Sequence, residues 1–194
     1  MTLPDDEHTP MQVTGRYPQE WIEQIALPDG TLVTIRPIRP EDAPKLQSAF
    51  KRLSIQSVYY RFLQVFTQLT DQQAHDFANL DYYQRMALVA EIQEEGESNL
   101  IGVARYAMLP GDEPGLAESA VVVIDEYQKR GLGSLLLQRL VRYARSHDVR
   151  TFLATVHVSN AQIMRFIQRS GFPADKKMIE PGVWEIRVHL QHGI

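Results

Sequence analysis

Strand-like and helix-like runs of apolar residues alternate along the chain from Trp21 onwards. Two short strand patterns flank Pro28-Asp29-Gly30, where proline fixes one turn dihedral and glycine tolerates positive φ, so this segment predicts a hairpin. Apolar residues at helical spacing follow in residues 40–53 and 54–63, and a third helical pattern starts at Thr70. The first half therefore predicts a hairpin followed by three helices.

The second half is richer in strand patterns. Residues 86–92 and 100–109 flank a polar loop and predict antiparallel neighbours in a sheet. Residues 116–124, "LAESAVVVI", are apolar on both faces along most of their length, which is typical of a central strand. The remaining patterns predict a helix at 131–146, a strand at 151–156, a short helix at 160–169 and a closing strand at 183–190. This order contains a β-α-β unit and predicts a mixed α/β sheet covered by helices.

Residues 1–20 differ from the rest of the chain. They carry three prolines and an acidic cluster and have little apolar periodicity, so we expect a flexible N-terminal tail. Residues 21–194 are long enough for a full core, whereas two domains of that total length would each be small. The sequence therefore predicts one domain, residues 21–194, after the tail.

Composition excludes several classes of function. The chain has no cysteine, which excludes a disulfide scaffold and a thiolate nucleophile. It has neither a run of roughly 18 apolar residues nor a signal-peptide pattern. The formal charge of −4 gives no global basic field for nucleic acid, and the six histidines lack a metal-ligand spacing. We therefore expect a cytoplasmic protein with no metal and no membrane or nucleic-acid partner.

Residues 128–134, "QKRGLGS", lie at the junction between a predicted strand and a predicted helix. Backbone N–H groups at a helix N-terminus bind phosphate well, and glycine lets a ligand approach closely. The alternative is that Gly131 only makes the turn. Neither common phosphate motif fits, because the P-loop needs lysine where Ser134 stands and the dinucleotide fingerprint needs glycine where Leu136 stands.

Two motifs together resemble a known family. "QKRGLGSLLLQRL" resembles the cofactor loop of the GCN5-related N-acetyltransferases (GNAT), and "NAQIMRFIQRSGF" resembles the motif that follows it. "TIRPIRPED" resembles the opening of such domains, so the resemblance covers roughly residues 29–190. "YYRFL", "MALVAEI" and "IGVARY" are similar to the acetyltransferase domain of bacterial protein lysine acetyltransferases. The resemblance implies an α/β (α+β) fold with a mixed, mostly antiparallel central sheet flanked by helices.

The resemblance also implies acetyl-CoA, or a related acyl-CoA, as the acyl donor. Its pyrophosphate would lie on the amides of the glycine loop, and the end of the preceding strand would offer backbone groups to the pantetheine arm. Asn160 would also contact the cofactor, although asparagine is equally a good helix N-cap and both roles are compatible. The implied cofactor-binding residues are Val122, Val123, Ile124, Gln128, Lys129, Arg130, Gly131, Leu132, Gly133, Ser134 and Asn160.

Acyl transfer to a lysine needs a base, because only about one lysine amine in 2,500 is neutral at pH 7. Glu118 begins the predicted central strand and matches the family's glutamate, which the resemblance makes the general base; the alternative is a solvated glutamate without a role. His157 is the next candidate, although a lone histidine there is more often a loop or capping residue. The family's usual acid, a tyrosine seven residues after Asn160, is replaced by Ile167, so no acid is assigned.

These inferences predict an N-acetyltransferase that transfers acetyl to a protein lysine ε-amine by direct attack. Tyr59 to Phe62 could line the acceptor groove, although aromatic residues at helical spacing more often belong to the core. Two alternatives stay open: acetylation of a small amine, and a non-catalytic acyl-CoA-binding sensor. The sequence does not distinguish a monomer from a dimer.

Overall fold

The computed structural model describes residues 15–192 of the 194-residue chain. Within that range the strands are β1 Glu23–Ala26, β2 Leu32–Pro37, β3 Arg85–Glu94, β4 Glu97–Met108, β5 Leu116–Val123, β6 Thr151–His157, β7 Ala174–Glu180 and β8 Val183–His189. The α-helices are α1 Ala43–Lys51, α2 Ile55–Phe62, α3 Asp71–Ala78, α4 Leu132–Arg145 and α5 Ala161–Arg169. Short 3₁₀ turns occur at Gln19–Trp21, Pro40–Asp42, Asp125–Tyr127 and Leu190–His192.

The strands described form one sheet in the order β1-β2-β3-β4-β5-β6-β8-β7. Neighbouring strands are antiparallel except β5 and β6, which are parallel because α4 connects them as a crossover helix. This arrangement confirms the predicted mixed, mostly antiparallel sheet.

The helices cover both faces of the sheet. Val122 borders an apolar cavity together with Phe50 of α1. Val123 faces Gly133 of α4, so closely that a Cβ added to this glycine would lie 3.6 Å from the valine side chain. Because adjacent strand residues point to opposite faces, α1 and α4 lie on opposite sides of β5. The core of the domain therefore has two layers, one on each side of the central strands.

Helix starts follow the local sequence. Ser54 Oγ accepts the Ser57 N–H at the start of α2, and Thr70 forms a reciprocal capping box with Gln73 at the start of α3. Each interaction satisfies an amide that the helix itself leaves without an acceptor. The starts predicted at these two positions are confirmed.

A buried ion-pair network ties the N-terminal strands to α1. Arg36 of β2 donates to both carboxylate oxygens of Asp42, at 2.7 and 2.8 Å, and to both of Glu91 in β3. Lys45 of α1 donates to Glu91 at 2.8 Å. Burial by itself would lower the pKa of Arg36, but the hydrogen bonds to Asp42 and Glu91 raise it well above its usual value. The arginine therefore stays charged inside the fold.

Two features differ from the expectation from sequence. Tyr17 donates to the carbonyl of Pro37 and packs edge-on against Tyr82, so packing begins inside the segment expected to be tail; residues 1–14 of that segment lie outside the described residues. β7 was not predicted at all. It is exposed along its whole length and pairs with β8, so its charged residues carry no apolar face that periodicity could reveal.

Candidate functional site

The parallel strands β5 and β6 separate part-way along their length. Leu116, Ala117 and Glu118 pair with residues 151–153, and within the described chain no later residue of β5 pairs with β6. A cleft of about 1600 Å³ opens beyond this point, and residues 121–123 of β5 form one of its walls. Val121 and Val122 are only partly buried for that reason, whereas Val123 is buried, and the pattern of all three is that of a strand covered on both faces.

The N-terminus of α4 borders the same cleft. Gly131 has φ = 86°, a conformation that side chains rarely allow, and it leads into Leu132, Gly133 and Ser134. No side chain caps this helix start within the described residues, so its first amides stay available. Uncapped amides at the positive end of a helix dipole form an anion-binding site.

The loop before α4 is attached to α2. Gln128 Nε2 donates to the carbonyl of Val123 at 3.0 Å and to Ser57 Oγ at 2.9 Å. The carboxylate of Asp125 accepts from the backbone N–H of Ser54 at 2.8 Å and from its hydroxyl at 2.7 Å. The glycine loop and the start of α2 therefore form one hydrogen-bonded unit.

Most of the predicted cofactor-binding residues come together around the cleft. Its lining includes Val122, Val123, Gln128, Lys129, Gly131, Gly133, Ser134 and Asn160. The side chains of Ile124 and Leu132 are instead buried in the core, 2% and 1% exposed, and Arg130 forms an ion pair with Asp29 at 2.9 Å. Leu132 can therefore offer a ligand only its backbone. The backbone of Ile124 is already bonded, since its N–H donates to the Ile101 carbonyl and its carbonyl accepts from Tyr127, and Arg130 is already paired.

Asn160 stands at the start of α5. Its side-chain oxygen accepts the N–H of Ile163 at 3.3 Å, which confirms the capping role. The same residue lines the cleft, so capping and cofactor contact stay compatible.

Glu118 lies where the two strands part, since it is the last residue of β5 that pairs with β6. Its side chain is partly buried and lies on the face of the sheet that α2 covers. Burial lowers the pKa of the Arg61 guanidinium to about 10, and the negative charge of Glu118 opposes that change. Arg61 also lines the cleft, so Glu118 and a cleft residue lie within electrostatic reach of each other.

Other cleft residues were not identified from the sequence. A polar row on α4 and another on α5 line the cleft; they comprise Gln138, Arg142, Arg145, Arg165 and Arg169. The spacing of the α4 residues, opposite its leucine face, is a sequence signal that could have revealed them. Tyr60 of α2 and Ser159 also line the cleft, but their approach depends on tertiary structure.

These features fit a polyphosphate ligand with an extended arm. Uncapped amides and arginines supply positive potential, and the unpaired flank of β5 supplies backbone groups for the amides of a pantetheine. Among residues 15–192, no three His, Asp or Glu side chains converge as possible metal ligands, and no helix is long and apolar enough to cross a membrane.

Comparison with known proteins decides the family. The model of the acetyltransferase (GNAT) family matches residues 54–172, which is more than half of the chain. The chain belongs to the GNAT acetyltransferase family. An acetyltransferase of Pseudomonas aeruginosa is 33% identical over 152 residues, which cover 78% of this chain and 80% of that protein. The predicted family is thereby confirmed, and this GNAT protein is an acetyltransferase.

Solved GNAT structures agree with the fold. The GNAT domain of Streptomyces lividans PAT superposes with a TM-score of 0.78 at 30% identity, covering 89% of this chain and 98% of that domain. A Salmonella typhimurium acetyltransferase solved with its cofactor acetyl-CoA superposes with a TM-score of 0.63 at 19% identity, covering 82% of this chain and 95% of that one. The first supports the predicted similarity to Pat-like acetyltransferases, and the second shows the shared fold.

Proposed function

We propose that this GNAT enzyme transfers an acetyl group from acetyl-CoA to a protein lysine ε-amine by direct attack, with Glu118 as the general base. One observation carries the proposal: uncapped amides of α4 lie at the mouth of the opening between β5 and β6, and Glu118 lies at its base. A phosphate group would therefore bind at the start of α4, and an arm that follows the unpaired flank of β5 would carry the thioester towards Glu118.

The cofactor would be held mainly by backbone groups. The amides of Leu132, Gly133 and Ser134 would bind the pyrophosphate, because they lack acceptors within the helix. Beyond Glu118, β6 no longer pairs with β5. The backbone groups that β5 leaves free there would bind the amides of the pantetheine as they would bind a neighbouring strand. Val122, Val123 and Asn160 would then lie along the arm.

The base has a defined task. A lysine ammonium must lose one proton before its nitrogen can attack the thioester carbon, and Glu118, directly or through a water, would take it. The nitrogen–carbon bond then forms, the nitrogen gives up a second proton to a neighbouring base or to water, and the carbon–sulfur bond breaks to leave the neutral amide. CoA leaves as a thiolate that departs unassisted or takes a proton from water.

The charge of the acceptor side favours a lysine over a polyamine. Arg61 and Arg105 border the apolar cavity next to Val122 on the α2 face. The positive charge of these arginines repels a small polycation. A protein can instead present a single lysine whose neighbours are acidic or apolar and so complement this surface. The lysine acceptor rests further on the resemblance of residues 59–63, 86–92 and 101–106 to protein lysine acetyltransferases.

The test is to incubate the purified protein with acetyl-CoA and a panel of proteins, lysine peptides, polyamines and aminoglycosides, while free CoA is measured. We expect CoA release with lysine-containing proteins, and a mass increase of one acetyl group on a lysine. Release with polyamines or aminoglycosides and not with proteins would contradict the lysine proposal. Binding of acetyl-CoA without transfer to any amine would favour the sensor alternative.

Gly133→Asp is expected to weaken acetyl-CoA binding about tenfold or more, because an added carboxylate competes with the pyrophosphate for the same amides. The fold should be retained, since an acidic residue in the first turn of a helix is favourable. Calorimetric titration measures the affinity. Gly133→Ala is the matched control: its Cβ would make only ordinary contact, at 3.6 Å from Val123, and it adds no charge. Equal affinity of the Asp variant and the wild type would remove the loop from the cofactor site.

A further inference from the structure

Three side chains form a hydrogen-bonded chain at the edge of the cleft. Tyr60 Oη of α2 lies 2.9 Å from Ser159 Oγ, and Ser159 Oγ lies 2.7 Å from His157 Nδ1 at the end of β6. Residues 60 and 159 are far apart in sequence, so this contact exists only because α2 packs near the end of β6. The result is a continuous path for a proton from the cleft to an imidazole.

The direction of the hydrogen bonds follows from one backbone group. The N–H of Ser159 also donates to His157 Nδ1, at 3.3 Å, so Nδ1 carries a lone pair and not a proton. The Ser159 hydroxyl therefore donates to Nδ1, and the Tyr60 hydroxyl donates to Ser159 Oγ at 2.9 Å, with the Ser159 carbonyl oxygen as a second, longer acceptor at 3.3 Å. Tyr60 Oη itself accepts from Gln56 Nε2 at 3.3 Å, so an amine that hands a proton to Tyr60 would share or replace this long hydrogen bond.

The imidazole is held by aromatic neighbours. The Tyr59 ring meets it edge-on at 5.4 Å between centroids, and the Tyr60 ring stacks at 6.3 Å. Gln56 Nε2 donates to Tyr60 Oη at 3.3 Å. These contacts fix the orientation of the phenol and the imidazole.

The chain begins in the wall of the cleft. Tyr60 and Ser159 line the cleft together with residues 121–123 of β5. The next residue after Tyr60 is Arg61, which interacts electrostatically with Glu118. The phenol of Tyr60 therefore lies in the wall of the cleft that the unpaired end of β5 also borders.

We propose that Tyr60, Ser159 and His157 are a proton relay that removes the second proton from the attacking amine. The proposal rests on the proposed function, in which Glu118 takes the first proton before attack. After attack the nitrogen is still cationic, and one of its N–H bonds must break for the amide to form. A carboxylate that already holds the first proton cannot take this one as well.

The transfer balances atom by atom. The amine proton moves to Tyr60 Oη as the original phenol proton moves to Ser159 Oγ, and the Ser159 proton moves to His157 Nδ1. The nitrogen becomes neutral, the carbon–sulfur electron pair leaves with the CoA thiolate, and His157 becomes an imidazolium that releases its proton to solvent. Tyr60 is the group that touches the reacting nitrogen, and Ser159 and His157 act through it.

Tyr60→Phe tests the first member of the relay. We expect kcat for the acceptor to fall about ten- to hundredfold, less than a full general-base effect because water can take part of this proton. The affinity for acetyl-CoA should be unchanged, which also shows that the variant is folded. Tyr83→Phe is the matched control, since it removes an exposed phenol that contacts Asp148 and is expected to leave kcat unchanged. A wild-type kcat in Tyr60→Phe would overturn the proposal.

His157→Ala and His157→Gln test the last member. Both are expected to lower kcat about tenfold, because glutamine can accept the Ser159 hydrogen bond but cannot take up a proton. Added imidazole should restore activity to His157→Ala in proportion to its concentration and should not affect the wild type. A slow variant that imidazole does not rescue would show a purely structural histidine and overturn the relay.

The two proposals fail in different ways. Loss of turnover in Glu118→Gln together with normal turnover in Tyr60→Phe would overturn the relay alone. A wild-type protein that binds acetyl-CoA and acetylates no amine would overturn the proposed function and the relay with it.

Discussion

Glu118→Gln is expected to lower kcat/KM for the acceptor by about 10²- to 10⁴-fold, the usual contribution of a general base, and to leave acetyl-CoA affinity near wild type. Glutamine keeps the shape of the side chain at the point where β5 and β6 part, and removes the carboxylate that would accept the amine proton. Steady-state kinetics with acceptor and calorimetry with acetyl-CoA separate the two effects. Glu97→Gln, at an exposed position at the start of β4, removes the same charge away from the cleft and serves as the control.

The pH dependence of the activity of Glu118→Gln gives a second test of the same role. Each unit of pH below about 10.4 changes the neutral fraction of a lysine amine tenfold, so alkaline buffer should restore part of the activity of Glu118→Gln. A folded Glu118→Gln protein with wild-type kcat/KM and the wild-type pH profile would exclude this glutamate as the base. His157 would then be the next candidate.

Glu91→Gln is expected to destabilise the protein by about 3 kcal/mol, because loss of one partner from a buried ion pair leaves the other charge poorly compensated. Its carboxylate accepts from Arg36 and Lys45, and from Ser98 as well. The hydrogen bond from Arg36, above all, holds the pKa of Glu91 well below its usual range, against the opposing effect of burial. Urea unfolding of the wild type and the variant near pH 7 measures the difference.

The same variant has a predicted pH signature. The pKa of Glu91 is lower in the folded protein than in the unfolded chain, so its stabilisation is present above the unfolded value of about 4.3 and is lost as the pH falls towards the folded value. The gap in unfolding free energy between wild type and Glu91→Gln should therefore narrow from pH 5 downwards. Glu97→Gln should show no such narrowing. A gap that is equal at pH 7 and pH 3 would contradict the assigned role of the charge.

Local sequence signals predicted much of the fold. Ser54 and Thr70 have side chains that cap a helix, and each of them does so. The leucines of α4 repeat at helical spacing and are buried as that spacing requires, with Leu136 and Leu140 fully buried. The glycine loop was found because its function depends on consecutive residues, whose spacing is visible in one short stretch.

Long-range contacts could not be predicted in the same way. The hydrogen bond between Ser54 and Asp125 joins residues 71 positions apart, and the local sequence around either residue does not identify its partner. Residues 121–123 have the pattern of a strand buried on both faces, yet one side opens on the cleft, because hydrophobicity does not tell a protein neighbour from a ligand. Strand β7 was missed because an edge strand needs hydrogen bonds to one partner and no apolar face.

The separation of β5 from β6 also bears on solubility. An unpaired strand flank is a template on which another polypeptide can add, and proteins usually protect such edges from aggregation. Here the free flank lies in the interior of the sheet, between two strands of the same chain, with α4 and α5 bordering its approach. Any polypeptide that paired with this flank would have to enter the cleft between these helices, whereas the edge of an ordinary sheet is open to solvent along its length. Its position inside the sheet therefore gives this flank a protection from strand addition that the outer edge strands β1 and β7 lack.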